Sequence, residues 1–183
     1  MKNIYLIVGL SGSGKTTEVD ILKKKYGYTD IASYTTRPKR HPTEKGHTFV
    51  SEETFKQLKN QMCAYTYFNG HHYGATIEQI NNADLYIIDL KGINELLQKI
   101  ATVPDGKTSH IIYIKIPVLI RLYRLLKRDG VKNGLRRFLN DFKMFKGVNS
   151  YKFDYVCKYK RQQGDIADDI HKYIQKTEMF QRY

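Results

Sequence analysis

The chain has 183 residues, 41% of them hydrophobic, and a formal net charge of +13 from 31 Lys and Arg against 18 Asp and Glu. That length suits one domain with a full α/β core, and no apolar run approaches the ~20 residues that a helix needs to cross a bilayer. Two cysteines, Cys63 and Cys157, lack metal-ligand spacing, which argues against a disulfide framework and for a reduced, cytoplasmic setting.

The first element is "NIYLIV", Asn3 to Val8, a short apolar and β-branched run that reads as a buried strand. It is too short for a signal peptide and leads straight into "GLSGSGKTT". That stretch fits G-x-x-x-x-G-K-[ST], with Gly9, Gly14, Lys15 and Thr16 at the fixed positions and Gly12 inside the turn. Such glycines let the backbone curl so that successive N–H groups point at phosphate oxygens. Lys15 would reach the β- and γ-phosphates, and the Thr16 hydroxyl would ligate Mg²⁺. The site expected for a nucleoside triphosphate is therefore Gly9, Leu10, Ser11, Gly12, Ser13, Gly14, Lys15, Thr16 and Thr17. "TTEVDILKKKYG" follows with Val19, Leu22 and Tyr26 at helical spacing and Gly27 as its stop, so the motif lies between a strand and a helix.

"DIASYTT", Asp30 to Thr36, reads as a second strand, and the polar "RPKRHPTEKGHT" as a loop. Arg37 and Arg40 in that loop stand three apart and can present two guanidinium forks to one anion. "SEETFKQLKNQM" starts a helix near Glu52 behind a Ser cap. In "AYTYFNGHHYGA" the turn signal Asn69-Gly70 marks a hairpin. "ADLYIIDL" (Ala83 to Leu90) and "HIIYIKI" (His110 to Ile116) read as core strands, the second ended by Pro117. Two amphipathic helices, "VLIRLYRLLKRDG" and "GLRRFLNDFKMFKGV", then precede a last strand, Phe153 to Tyr159, and the closing helix "DIADDIHKYIQKTEMF". Alternating strand and helix predicts an α/β fold with a parallel sheet covered on both faces. Long stretches between core strands predict small mobile subdomains inside a single domain.

The basic charge allows two readings. One is nucleic-acid binding, for which 15 tyrosines would supply stacking surfaces. The other is a site for two phosphorylated ligands, the remaining lysines being solvated. The absence of a helix-turn-helix signature, zinc-knuckle spacing or basic tail favours the second.

The segment "SYTTRPKR...EKGHTFVSEETF", followed by "FNGHHYG", resembles the guanylate kinase family: a phosphate loop, then S-x-T-T-R-x-x-R, then G-x-x-Y-x-F-V-S, then N-G-x-Y-Y-G. "IIDLKG", the strand ending at Pro117, an arginine-bearing lid and "FDYV" continue in the family's order over nearly the whole chain. The resemblance implies a phosphate-loop NTPase fold over residues 1–183, with core 1–32, 83–127 and 138–183, a monophosphate-binding insertion 33–82 and a lid 128–137. It implies transfer of the γ-phosphate of ATP, with Mg²⁺, to a nucleoside monophosphate, GMP or dGMP by default, in a cytoplasmic monomer or homodimer without nucleic-acid or membrane partners. Carried over residue by residue, Ser33, Arg37, Arg40, His47, Tyr73 and Asp89 would hold the acceptor. Lys15, Arg37, Arg128 and Arg137 would carry the chemistry, with Arg136 one residue away as an alternative register for the lid.

Three departures bear on the acceptor base. The family's guanine-reading glutamate is Ala64 here, the hydroxyl residue after Y-Y-G is Ala75, and His47 stands at the tyrosine of G-x-x-Y-x-F. A histidine can still donate to phosphate, and it brings pH dependence near neutrality. A buried charge-assisted pair is worth about 2–4 kcal/mol, so its loss at Ala64 weakens base discrimination. Kinases of another monophosphate or of a phosphorylated sugar, a non-catalytic interaction module and a nucleic-acid-dependent ATPase are the competing readings. The complete Gly14-Lys15-Thr16 favours an enzyme.

Overall fold

The computed structural model describes residues 3–68, 70–101, 107–144, 148 and 151–180. The chain divides into two compact units, one of Met1–Leu6 with Tyr28–Ser109 and the other of Ile7–Gly27 with His110–Tyr183. Strand β1 (Asn3–Val8) contributes to both and is buried along its whole length, as a run of apolar residues with no polar alternation should be.

In the first unit, β2 (Ser33–Thr35), β3 (His47–Phe49), β4 (Met62–Phe68) and β5 (His71–Thr76) form a sheet of order β3-β2-β5-β4. β2 and β3 run parallel, while β2 and β4 each pair antiparallel with β5. β3 falls in what the sequence reads as loop; three residues carry too short a pattern to signal a strand, and pairing with β2 makes it one. Phe68 stands opposite His71 across the hairpin, where Gly70 takes a φ of 83°; the other turn residue, Asn69, lies outside the described residues. Helix α2 (Glu52–Leu58) begins as expected, with Ser51 Oγ accepting the Thr54 N–H at 3.1 Å. Helix α3 (Ile77–Asn81) starts from a capping box of Thr76 and Gln79.

The strand read over Ala83 to Leu90 is shorter, β6 (Leu85–Ile87). Asp89 ends it by capping helix α4 (Leu90–Ile100), its Oδ1 accepting the Gly92 N–H at 2.8 Å. Ile93 and Leu96 on α4 are fully buried, the i, i+3 pair of an amphipathic stripe.

In the second unit, helix α1 (Lys15–Tyr26) ends where the N–H of Gly27 donates to Lys23 O at 3.0 Å. Strands β7 (Thr108–Lys115) and β8 (Tyr155–Lys158) pair in parallel, Ile114 opposite Cys157. With β6 and β1 they make a sheet of order β6-β1-β7-β8. Helix α6 (Asp165–Phe180) buries Ile166, Ile170 and Ile174 and is tied to α1. Glu18 accepts the Ala167 N–H at 3.1 Å, and the Tyr26 ring stacks on His171 with centroids 3.7 Å apart.

The two helices read from Val118 onward form one interrupted element, α5 (Val118–Met144), broken at Gly130 with φ 75° and ψ 168°. Beyond the break the chain packs back on itself: a Cβ at Gly134 would lie 2.9 Å from the Leu125 carbonyl oxygen. Residues 145–147, expected to continue this helix, lie outside the described residues.

Candidate active site

The glycine-rich loop runs from the end of β1 into α1. Gly12 has φ 77°, and a Cβ there would stand 2.9 Å from the Arg121 carbonyl oxygen, so only glycine fits. Gly14 caps α1 with no side-chain hydrogen bond, so the first N–H groups of a twelve-residue helix have no side-chain acceptor at that cap. Together with the helix dipole, these donors favour an anion. Ser13 Oγ is buried with no hydrogen-bond partner. Lys15 Nζ folds back over the loop and donates to Gly9 O at 2.6 Å and Leu10 O at 3.3 Å. Burial lowers its pKa to about 8; Asp141 opposes the shift, and Arg128, Arg137 and Arg121 add to it. Thr16 and Thr17 are exposed on the first turn of α1.

α5 carries five arginines, two of which, Arg121 and Arg124, reach the loop. Arg121 and Asp141 are a buried pair, Nη1 to Oδ2 3.1 Å, each side chain under 5% exposed. Asp141 also accepts from Ser11, the N–H at 2.8 Å and the hydroxyl at 2.8 Å. Arg124 Nη1 donates to Gly12 O at 3.3 Å. Arg128 donates from Nε and Nη2 to Asp129, both at 2.9 Å, and Arg137 Nη1 lies 3.6 Å from the same carboxylate. Asp129 thus draws together the two arginines expected in the lid, while Arg136, the alternative in register, is exposed. A cavity of about 300 Å³ beside the loop is lined by Gly12, Gly14, Thr17, Arg124, Arg128 and Arg161 among others.

In the first unit Ser33, His47 and Tyr73 share one face of the β3-β2-β5-β4 sheet, while Arg37 and Arg40 stand in the loop after β2 and Asp89 caps α4. Residues opposite each other in a ladder share a face. Ser33 pairs with His47, Thr35 with Phe49 and Tyr73, and Tyr73 with Thr66. Ser33 Oγ is 3.0 Å from His47 Nδ1, and the His47 and Tyr73 rings meet edge-on at 5.7 Å. Burial, then the Arg37 charge, lowers the His47 pKa below its ordinary value, so its titration moves to the acid side of neutrality rather than onto it. Arg37 lies over the Phe49 ring with Tyr73 beside it. Its Nη2 and Nη1 donate to Glu44 at 2.8 and 3.2 Å. Arg40 reaches the same Glu44 through its backbone N–H at 2.6 Å and its guanidinium at 3.5 Å. Asp89 Oδ1 accepts from Thr66 Oγ1 at 3.0 Å, which joins it to the strand that carries Tyr73's partner. Ala64 and Ala75 are opposite each other on this face, both buried.

Three of these residues were not singled out in the sequence. Glu44 is the sole carboxylate of "RPKRHPTEKGHT", a signal that was there to read. Thr66 lies two positions from Ala64, hence on its side of the strand. Asp141 gave no local sign, because its partners Ser11 and Arg121 are 130 and 20 residues away. Among the described residues no group of three His, Cys, Asp or Glu side chains converges to hold a metal.

Comparison with known proteins agrees in family. Residues 1–177 match the guanylate kinase family. The guanylate kinase of Helicobacter pylori is 30% identical over 166 residues, covering 84% of this chain and 78% of that protein. That of Hydrogenovibrio crunogenus is 27% identical over 171 residues, with the same coverage. The crystal structure of guanylate kinase from Anaplasma phagocytophilum superposes with a TM-score of 0.67 at 19% identity, over 96% of this chain and 86% of the other. That likeness is one of fold, a parallel sheet flanked by helices in the phosphate-loop NTPase arrangement. The chain belongs to the guanylate kinase family of nucleoside monophosphate kinases.

Proposed function

We propose that this kinase moves the γ-phosphate of ATP to the phosphate of a nucleoside monophosphate, GMP or dGMP by default. The observation that carries the reading is that the chain holds both a complete phosphate loop at the start of α1 and, in its first unit, an arginine, Arg37, with Tyr73 beside it on the face of Ser33 and His47. Phosphoryl transfer asks a protein mainly to align the groups and to neutralise developing charge. In this reading the loop N–H groups from Gly9 to Thr17 and Lys15 hold the donor phosphates. Arg37, Arg40 and Tyr73 hold the acceptor phosphate, with His47 beside them as a neutral donor. Arg128 and Arg137 stabilise the charge on the group in transit. Ser33 and Asp89 face the acceptor base. The insertion 33–82 and the lid 128–137 are the segments that bring these groups to the ligands.

Mg²⁺ enters with the donor. At the motif position the chain offers the exposed Thr16 hydroxyl, and among the described residues no acidic cage. This suits an ion that keeps several waters and takes its other ligands from phosphate oxygens. When bound, it would offset negative charge on the phosphates. Free, buried Cys63 and Cys157 support a reducing compartment such as the cytoplasm. Buried Ala64 favours a second reading, in which the base is read loosely and another monophosphate is accepted.

Lys15→Ala tests the donor half. Turnover should fall at least about a hundredfold, a loss of roughly 3 kcal/mol of transition-state stabilisation, with the circular dichroism spectrum unchanged. Near-wild-type turnover in the variant would refute the assignment.

A further inference from the structure

We propose that Glu44 is a positioning residue for the acceptor: it holds Arg37 by the end of its guanidinium so that the side edge, Nε with Nη2, is the one presented to the acceptor phosphate. The inference rests on the acceptor reading above and extends it to a residue outside the expected site. A guanidinium has five N–H donors in a planar fork. The Arg37 fork is spoken for at its end, where Nη1 and Nη2 donate to the two oxygens of Glu44 at 3.2 and 2.8 Å. Nη1 also donates to Pro38 O at 2.8 Å. Nε is buried and has no partner. The remaining Nη2 hydrogen lies on the same side as Nε, and the Tyr73 hydroxyl, itself expected on the acceptor phosphate, is the other side-chain hydrogen-bonding group at this guanidinium, so this edge and Tyr73 together can meet a pair of oxygens on one anion.

The rest of the surroundings keep that edge in place. The Arg37 side chain is 10% exposed and lies over the Phe49 ring, and its own N–H donates to Thr35 Oγ1 at 3.1 Å. Glu44 is itself fixed, with its side chain 9% exposed and a third bond from the Arg40 N–H at 2.6 Å. Burial alone would raise the Glu44 pKa, but the Arg37 and Arg40 hydrogen bonds and charges outweigh it and hold the pKa near 2. The carboxylate therefore stays ionised at any working pH. It also cancels one of two neighbouring positive charges that would otherwise push Arg37 and Arg40 apart.

Glu44→Gln tests the inference by steady-state kinetics with GMP and ATP. The amide accepts at one oxygen but turns N–H groups toward the other arginine nitrogen, so the fork should rotate. The KM for GMP should rise about tenfold or more, with kcat and the KM for ATP within about threefold of wild type, and Glu44→Asp should recover part of the loss. A KM for GMP that falls or stays level overturns the inference, as does an equal loss in both substrates. In case the variant does not fold, the wild type gives a second reading by nuclear magnetic resonance. GMP should move the Arg37 Nε–H proton downfield, and an unmoved proton in a GMP-bound protein overturns the inference. A wild type that binds no nucleoside monophosphate overturns the acceptor reading and this inference together; one that binds another monophosphate in place of GMP is tested by the same kinetics with that acceptor, and normal wild-type binding with unaltered variant kinetics overturns this inference alone.

Discussion

Lys15 carries a charge that depends on what fills the loop. Buried among Arg121, Arg128 and Arg137 and opposed only by Asp141, it titrates at about 8 rather than 10.5. A folded-state pKa below the unfolded one means that the unfolded chain binds the proton more tightly between those values. The lysine then favours the unfolded state below pH 8, and stability rises as pH climbs from about 8 to 10.5. A triphosphate beside the ammonium should reverse the shift. Calorimetric titration of ATP at pH 8.5 in buffers of different ionisation enthalpy should therefore show net proton uptake, and binding without uptake would contradict this account of Lys15. Ala64 is the other informative residue. It is buried opposite Ala75 on the face of Tyr73, so the wild type should discriminate poorly among purine monophosphates. Ala64→Glu should raise the preference for GMP over AMP about tenfold or more, because one charge-assisted pair is worth roughly 1.5–3 kcal/mol. A wild type that already strongly prefers GMP would show that another residue reads the base. At this scale the phosphate loop and the arginine pair were legible, since their chemistry is local in sequence. Glu44 and Thr66 were within reach of the same reading, whereas Asp141 meets Ser11 only because the chain folds back after Gly130.

The elements that were misread share a cause. Apolar runs identify β1 and β7, and the helical spacing of Val19, Leu22 and Tyr26 identifies α1. β3 and β6 have three residues each and owe their extended form to neighbours. α4 hid behind the apolar "ADLYIIDL", where Asp89 changes the chain from strand to helix by taking the Gly92 N–H. At Gly130 the two halves of α5 meet in a conformation essentially restricted to glycine. Beyond the adjoining backbone, nothing among the described residues lies within 4 Å of where a Cβ would sit there, so the strain of a substitution would be the backbone's. Gly130→Ala should cost about 1–3 kcal/mol in urea unfolding. It should also lower kcat, because Arg128 and Asp129 stand on one side of the break and Arg137 on the other. Full stability in the variant would show that the break relaxes without glycine.

For the whole molecule, the charge of +13 left nucleic acid and phosphorylated small ligands as rival partners. Several of the arginines are held on carboxylates, Arg37 and Arg40 on Glu44, Arg128 and Arg137 on Asp129, and Arg121 on Asp141. Membership of the guanylate kinase family makes a monophosphate the natural acceptor. The most direct test is to incubate the protein with ATP and Mg²⁺ and follow ADP formation with each nucleoside monophosphate in turn, with nucleic acid and without any acceptor. The account predicts ADP and a nucleoside diphosphate in equal amounts with GMP or another purine monophosphate, and only background ADP in the other two mixtures. ADP released equally without an acceptor, or only when DNA or RNA is present, would contradict it.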